Sequence, residues 1–186
     1  MRIISGISKG KRLYAPEGMS VRPTSDKIKE SVFNIIGYIE EDSIVLDLFA
    51  GTGSVGIEFL ARGAKECYFV DASYKSLNYV KKNVEICNFK DKAKIMQNDY
   101  EKAIESFCIL NQKFDYIFAD PPYDLLCCNN IAQKILQNKL LKKNGLLIIE
   151  SDKSEEIFTN LDYEDVKYKE KIYGRTRISM IKLLED

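Results

Sequence analysis

Short apolar runs alternate with amphipathic stretches through the centre of this 186-residue chain. The short runs predict strands, and apolar residues at three-to-four spacing predict helices that each bury one face. This alternation is typical of repeated β-α units, and hence of a mostly parallel sheet with helices on both faces. Strands are predicted at 44–48, 67–70, 93–96, 116–119 and 146–150, with helices at 55–62, 73–86, 100–109 and 129–137.

The two ends of the chain differ from its centre. Segments 163–169 and 176–183 predict an antiparallel hairpin that closes one edge of the sheet. Segments 2–5 and 11–14 predict a small basic β-hairpin, which an extended linker at 19–23 joins to a helix capped by Thr24 or Ser25. We therefore expect a hairpin and linker over residues 1–23 and a single α/β domain over 24–186.

Composition excludes several kinds of chemistry. The chain has no histidine, which removes Ser-His-Asp triads, Cys-His dyads and most zinc sites. Its five cysteines lack Cys-x-x-Cys spacing, so we expect reduced packing residues and no metal. No apolar run approaches the roughly 18 residues that span a bilayer, and the N-terminus has no signal-peptide pattern. We expect a cytoplasmic protein with no membrane partner.

A glycine-rich turn follows the first central strand. Gly51, Gly53 and Gly56 form a G-x-G-x-x-G pattern, which permits a tight turn and lets a ligand approach bare backbone. Asp71 ends the next strand, where its carboxylate can accept hydrogen bonds from ribose hydroxyls. These features suit a nicotinamide dinucleotide or S-adenosylmethionine. Asp47 favours the second, because a carboxylate just before the glycines repels a pyrophosphate and attracts a cationic amino acid group.

The motif Asp120-Pro121-Pro122-Tyr123 follows the strand predicted at 116–119. It therefore falls at the carboxyl edge of the sheet, where doubly wound folds bind ligands. An exocyclic base amine is a poor nucleophile because its lone pair is delocalised into the ring. The Asp120 carboxylate and the Pro121 carbonyl can accept its two N–H groups and turn the lone pair towards a methyl donor. Pro121 and Pro122 fix φ and remove competing donors, and Tyr123 can stack on a flipped base.

The order of these motifs resembles class I amino-methyltransferases. With the blocks 2–6, 22–26, 33–36 and 173–174, the chain is similar over essentially its whole length to the RsmD family of 16S rRNA guanine-N2 methyltransferases. The resemblance implies a Rossmann-like seven-stranded sheet, S-adenosylmethionine as donor, and 16S rRNA in an assembling 30S subunit as substrate. It implies cofactor contacts from Asp47, Phe49, Gly51, Gly53, Asp71 and Asp99.

Some assignments stay open. Asp99 either caps the helix that follows it or contacts the adenine amine of the cofactor. The same D-P-P-Y motif could serve an adenine N6 amine, although roughly thirty spare N-terminal residues leave little room for a DNA-recognition domain. An NAD-dependent oxidoreductase would leave D-P-P-Y unexplained. A non-catalytic RNA-binding module could lose Asp120 without consequence.

Charge distribution predicts where RNA binds. The net charge is zero, but basic residues outnumber acidic ones within the first thirty residues. Phosphate contacts supply most of the sequence-independent affinity for nucleic acids. We expect no comparable basic cluster on the sheet beside the site. The residues predicted to contact RNA are Lys9, Lys11, Arg12, Arg22 and Lys27.

Overall fold

The computed structural model describes residues 1–16, 26–155, 157 and 166–184. None of the helices in these ranges is long and apolar enough to cross a membrane. In chain order the helices and strands are α1 (Asp26–Ile36), β1 (Ile44–Leu48), α2 (Ser54–Ala61), β2 (Glu66–Asp71), α3 (Tyr74–Ile86), β3 (Ala93–Gln97), α4 (Tyr100–Ile109), β4 (Phe114–Ala119), α5 (Cys128–Gln137), β5 (Leu141–Asp152), β6 (Val166–Tyr173) and β7 (Thr176–Leu183).

All seven strands form one sheet in the order β3-β2-β1-β4-β5-β7-β6. Strands β1 to β5 pair in parallel, whereas β7 is antiparallel to both β5 and β6. The predicted mixed sheet is therefore confirmed. The chain moves outward from β1 to β3 and then returns to place β4 beside β1. Loops that leave β1 and β4 diverge at this reversal, and the crevice between them is the usual ligand position in such folds.

The central strands bury both of their faces. On β1, Val45 packs with α1, α2 and α3, whereas Leu46 and Leu48 pack with α4 and α5. Successive side chains of a strand point to opposite faces, so a strand between two helical layers is apolar at nearly every position. This explains why β1 and β4 are recognisable as continuous apolar runs in the sequence.

The predicted elements are confirmed with shifted ends. Strand β1, helix α4 and strand β7 have the predicted bounds. Strand β5 begins five residues earlier than predicted, at Leu141, and its register against β4 shifts between Phe114 and Tyr116. Strand β6 extends to Tyr173, and residues 163–165 of its predicted range lie outside the described residues.

The N-terminal hairpin is shorter than predicted. Its two arms meet in a single antiparallel bridge between Arg2 and Arg12 and form no continuous ladder. The reason is a competing acceptor. The buried carboxylate of Glu58 on α2 accepts the backbone amides of Ile4 and Ser5 at 2.8 and 2.9 Å. The Ser5 amide, which the next bond between the two arms would use, is therefore unavailable for strand pairing.

The N-terminal segment contributes to the hydrophobic core of the α/β domain. Ile3 and Leu13 are buried in the same cluster as Phe33 and Phe59. The predicted linker at 19–23 and the capping residues Thr24 and Ser25 lie outside the described residues. The division into residues 1–23 and 24–186 therefore stays a prediction.

Candidate active site

A cavity of about 440 Å³ lies at the carboxyl ends of β1, β2 and β4. Its volume is within the roughly 300–1,000 Å³ of small-molecule sites. The wall includes Asp47, Phe49 and Gly51 from the end of β1, Asp71 from the end of β2, and Asp120 after β4. The crevice thus brings together predicted residues from three separate parts of the sequence.

The turn after β1 uses backbone conformations that favour glycine. Gly51 and Gly53 have φ of +55° and +77°, and Gly53 caps α2. A Cβ at Gly51 would have no neighbour closer than 4.0 Å, so the cavity has a stretch of bare backbone open to a ligand. Phe49 adopts φ of 82° in the same turn. A non-glycine residue reaches this conformation at a cost of about 1–3 kcal/mol, and such residues cluster at ligand sites.

Asp47 connects β1 to α2. It is 2% exposed, and its carboxylate accepts a hydrogen bond from the amide of Gly56 at 2.9 Å. Burial raises the pKa of Asp47 to about 7; the Gly56 amide opposes this shift and the nearby charge of Asp71 adds to it. Its charge is therefore sensitive to its surroundings near neutral pH. The predicted contact with a cationic amino acid group stays a prediction.

Asp71 bridges the ends of β1 and β2. One carboxylate oxygen accepts the amide of Gly51 and the other that of Ser73, both at 2.8 Å. These bonds fix the carboxylate at the cavity wall. A carboxylate has about four acceptor positions, so two amides leave capacity for the ribose hydroxyls predicted to bind here.

Asp99 caps helix α4. It accepts the amide of Lys102 at 2.9 Å and forms an ion pair with the Lys102 ammonium at 3.1 Å. The hydrogen bonds from Lys102 lower the pKa of Asp99. Asp99 does not contribute to the described cavity wall. Of the two roles left open by the sequence, the structure shows the cap, and the adenine contact stays a prediction.

The D-P-P-Y motif continues from β4 along the cavity. Asp120 and Pro122 line the cavity, whereas Pro121 is buried. Tyr123 begins a short 3-10 turn, and its hydroxyl lies 3.3 Å from the Oγ1 atom of Thr176 on β7. The D-P-P-Y loop is therefore tied to the C-terminal hairpin. Stacking of Tyr123 on a base stays a prediction.

A family model described as Conserved hypothetical protein 95 matches residues 1–182. The chain belongs to this family. YlbH from Bacillus subtilis (strain 168) is 37% identical over 182 residues, which cover 98% of each chain. The Haemophilus influenzae protein named "Ribosomal RNA small subunit methyltransferase D" is 32% identical over 174 residues, which cover 91% of this chain and 88% of that one. The resemblance to the RsmD family is thereby confirmed.

Several solved structures share the fold of this protein. HI0767 from Haemophilus influenzae has a TM-score of 0.76 and 29% identity, and the match covers 99% of this chain and 98% of that one. Two further structures, both crystallised with S-adenosyl-L-homocysteine, have TM-scores of 0.66 at 16% and 12% identity. At such low identity they show a common fold alone.

Parts of the cavity wall were missed by sequence reasoning. The wall also includes Lys75, Ser76 and Tyr79 of α3. Two residues of the N-terminal segment, Ala15 and Pro16, contribute to it as well. The α3 residues follow the end of β2, and their place at the same sheet edge was the available signal. Nothing in the local sequence indicates that Ala15 and Pro16 reach the cavity.

Asn83 attaches the N-terminal segment to the glycine-rich turn. Its amide nitrogen donates to the backbone oxygens of Tyr14 and Thr52, both at 2.9 Å, and its side-chain oxygen accepts the Tyr14 amide at 2.7 Å. It is fully buried on α3 between Val80 and Val84. A polar residue within an apolar helical stripe was the signal that could have identified it.

The predicted RNA-contacting residues differ in their surroundings. Lys9, Arg12 and Lys27 are exposed. Lys11 instead donates from its ammonium to the backbone oxygen of Ile86 at 2.7 Å, so it supports docking of the segment on α3. Arg22 lies outside the described residues.

Lys29 is a basic N-terminal residue that does not reach solvent. It is 1% exposed, and its ammonium donates to the Arg2 backbone oxygen at 2.7 Å and lies 3.9 Å from the buried Glu58 carboxylate. Burial lowers the pKa of Lys29, while Glu58 opposes this effect. One of the basic residues counted among the first thirty is therefore buried and stabilises the interior of the protein.

The five cysteines of this protein are free thiols. Burial raises the pKa of Cys127 to about 11 and also raises that of Cys128, whose thiol donates to the Glu155 carboxylate at 3.0 Å. Both thiols beside the D-P-P-Y loop are therefore protonated and poorly nucleophilic at neutral pH. Among the described residues, no group of three acidic or cysteine side chains is arranged to hold a metal ion.

Proposed function

We propose that this protein transfers a methyl group from S-adenosylmethionine to the exocyclic N2 amine of a guanine in 16S rRNA. The observation that carries the proposal is that Asp120 lines the same cavity as Gly51 and Asp71. An acceptor for a base amine thus lies beside groups suited to the cofactor. The relative named for small-subunit ribosomal RNA supports this substrate class.

The chemistry of the cavity wall suits S-adenosylmethionine. Bare backbone at Gly51 allows close approach of the amino acid end, and Asp47 supplies a carboxylate for its ammonium group. Asp71 offers acceptors to the ribose, and the Phe49 ring gives an apolar surface suited to the adenine. When bound, the cofactor supplies an electrophilic methyl group on a sulfonium.

The D-P-P-Y motif prepares the amine for attack. The Asp120 carboxylate and the Pro121 carbonyl accept the two N–H groups, which weakens conjugation of the lone pair with the ring. The nitrogen must lose one proton as it gains the methyl group, and the proposal assigns Asp120 as the acceptor of that proton. No histidine or thiolate is needed.

A flipped base is expected because an amine within a helix cannot reach a recessed cavity. Tyr123, three residues after Asp120, supplies a ring on which such a base can stack. Its bond to Thr176 holds the loop against β7, so the stacking surface is pre-positioned. An assembling 30S subunit is the proposed setting, since its rRNA is still accessible.

The decisive experiment identifies the methylated nucleoside. The protein is incubated with labelled S-adenosylmethionine and either unmodified 16S rRNA or small subunits from a strain that lacks the gene. Mass spectrometry of the nucleosides should detect N2-methylguanosine at one position, and comparison of the two substrates identifies the preferred one. N6-methyladenosine instead would replace the guanine assignment with the adenine alternative. Absence of methylated nucleoside from both substrates would refute the proposal.

A further inference from the structure

Strand β6 concentrates positive charge on one of its faces. Lys167, Lys169 and Lys171 alternate along the strand, so the two-residue period places them on the same face. Lys182 of β7 is directly opposite Lys167 and joins this face. All four side chains are exposed. Together these four residues form a lysine ladder. The expectation that the sheet carries no such cluster was wrong.

The charge of the lysine ladder is not compensated within the described residues. None of its members forms an ion pair there. The one acidic residue of β6, Glu170, is on the opposite face, where it pairs with Arg177. Like charges directly opposite each other, such as Lys167 and Lys182, destabilise a sheet. A polyanion bound along this face would relieve that repulsion.

The lysine ladder is on the same face of the sheet as the cavity. Lys169 is in register with Met180, Met180 with Ile148, and Ile148 with Phe118. Residues in register share a face, and Phe118 lines the cavity two residues before Asp120. Strands β4 and β6 are three strand spacings apart, or about 14 Å. RNA with a base in the cavity therefore has its backbone within reach of the ladder.

The N-terminal segment also packs on this side of the sheet. Ile3 and Leu13 share a core cluster with Ile148, Ile178 and Met180. The N-terminal segment, the cavity and the lysine ladder consequently belong to one side of the molecule. A neutral protein thus presents two separate basic surfaces near one site.

We propose that the lysine ladder is a second docking surface for the substrate RNA and binds the phosphate backbone beside the base that enters the cavity. This inference rests on the proposed function, because it takes RNA as the substrate. Lysine ammonium groups suit such a surface, since they bind phosphates as point charges without reading sequence. Protection of the sheet edge alone would require charge on β6. It would not require Lys182 on the interior strand β7, nor restriction to one face.

The test compares two triple variants with equal charge loss. The first carries Lys167→Gln, Lys169→Gln and Lys171→Gln. The control carries Lys113→Gln, Lys139→Gln and Lys143→Gln, which are exposed at the amino ends of β4 and β5, the sheet edge away from Asp120. Binding to unmodified 16S rRNA is measured by fluorescence anisotropy at several salt concentrations. Methyl transfer and S-adenosylhomocysteine affinity are measured in parallel.

The ladder variant should bind rRNA more weakly, with a log–log salt slope smaller by about 0.7–0.9 per lost phosphate contact. Its KM for RNA should rise while its cofactor affinity stays at the wild-type value, and the control variant should match wild type. A wild-type slope and KM in the ladder variant would overturn the inference. So would self-association of that variant with unchanged RNA binding, which would assign the lysines to edge protection. Failure of the wild-type protein to methylate rRNA refutes the proposed function instead.

Discussion

The carboxylate of Asp47 accepts a hydrogen bond from the amide of Gly56 at 2.9 Å, which holds the end of β1 against the first turn of α2. Burial raises the pKa of Asp47 from 3.8 to about 7. The folded protein therefore binds this proton more tightly than the unfolded chain does. For a carboxyl with a raised pKa, the resulting stabilisation is full below pH 3.8 and is lost as pH rises to about 7.

We expect Asp47→Asn to remove this pH dependence. Between about pH 4 and pH 7, the free energy of unfolding of the wild type should fall relative to the variant, by up to about 1.4 kcal/mol per pH unit. Above pH 7 the difference should become constant. Denaturant unfolding at pH 5, 6, 7 and 8 measures it, with the exposed Asp91→Asn as control. A difference that does not change with pH contradicts the assignment.

Alanine at two of the glycines should separate ligand binding from packing. Gly51→Ala meets open space but has φ of +55°, so it should cost about 1–2 kcal/mol of stability and obstruct the cofactor. Gly56→Ala places a Cβ 2.4 Å from the ring of Phe69 and 2.7 Å from the sulfur of Cys67. Its cost should reach the upper end of the roughly 1–3 kcal/mol of overpacking.

Calorimetry with S-adenosylhomocysteine and thermal unfolding measure the two effects. Gly51→Ala should lose about tenfold or more in affinity, equivalent to about 1.4 kcal/mol. Gly56→Ala should show the larger fall in Tm, at roughly 2–4 °C per kcal/mol. Wild-type affinity in Gly51→Ala would show that the cofactor does not approach this backbone.

Asp120→Asn should lose turnover but retain the cofactor. An amide presents a donor as well as an acceptor and cannot take the proton, so kcat should fall by about 10²–10⁴-fold. Affinity for S-adenosylhomocysteine should stay close to wild type, because the proposed partner of Asp120 is the base. Single-turnover methylation and calorimetry provide the two values. Unreduced kcat in this variant would refute the proposed role.

The two kinds of basic residue in the N-terminal segment should respond differently to mutation. Lys9→Ala with Arg12→Ala should reduce the salt slope of rRNA binding by about 0.7–0.9 per lost contact and leave Tm unchanged. Lys11→Ala should lower Tm, because its ammonium donates to the Ile86 backbone oxygen. If the double variant keeps the wild-type slope, these two charges are solvated surface charges that do not contact the RNA.

The sheet and the D-P-P-Y site could be predicted because their signals are local. A strand buried on both faces, such as β1, is apolar throughout, and D-P-P-Y directly follows β4. The N-terminal hairpin was predicted to be longer than it is because Glu58, 53 residues from Ser5, takes the amide that the next bond between the two arms would use. The lysine ladder was missed for a related reason. The alternation of lysines along β6 shows only that they share a face. The pairing of β6 with β7 decides which side of the sheet that face is on.

The partners of the N-terminal segment are made long after the segment itself. Glu58 and Asn83 lie 54 and 69 residues beyond the backbone groups that they bind, at Ile4 and Tyr14. At roughly 5–20 residues per second of synthesis, the interval before Asn83 is made lasts several seconds. During this time the nascent segment is a basic tail without its folded support. Docking of residues 1–16 can therefore be completed only after Asn83 has been made, because Asn83 binds both backbone polar groups of Tyr14.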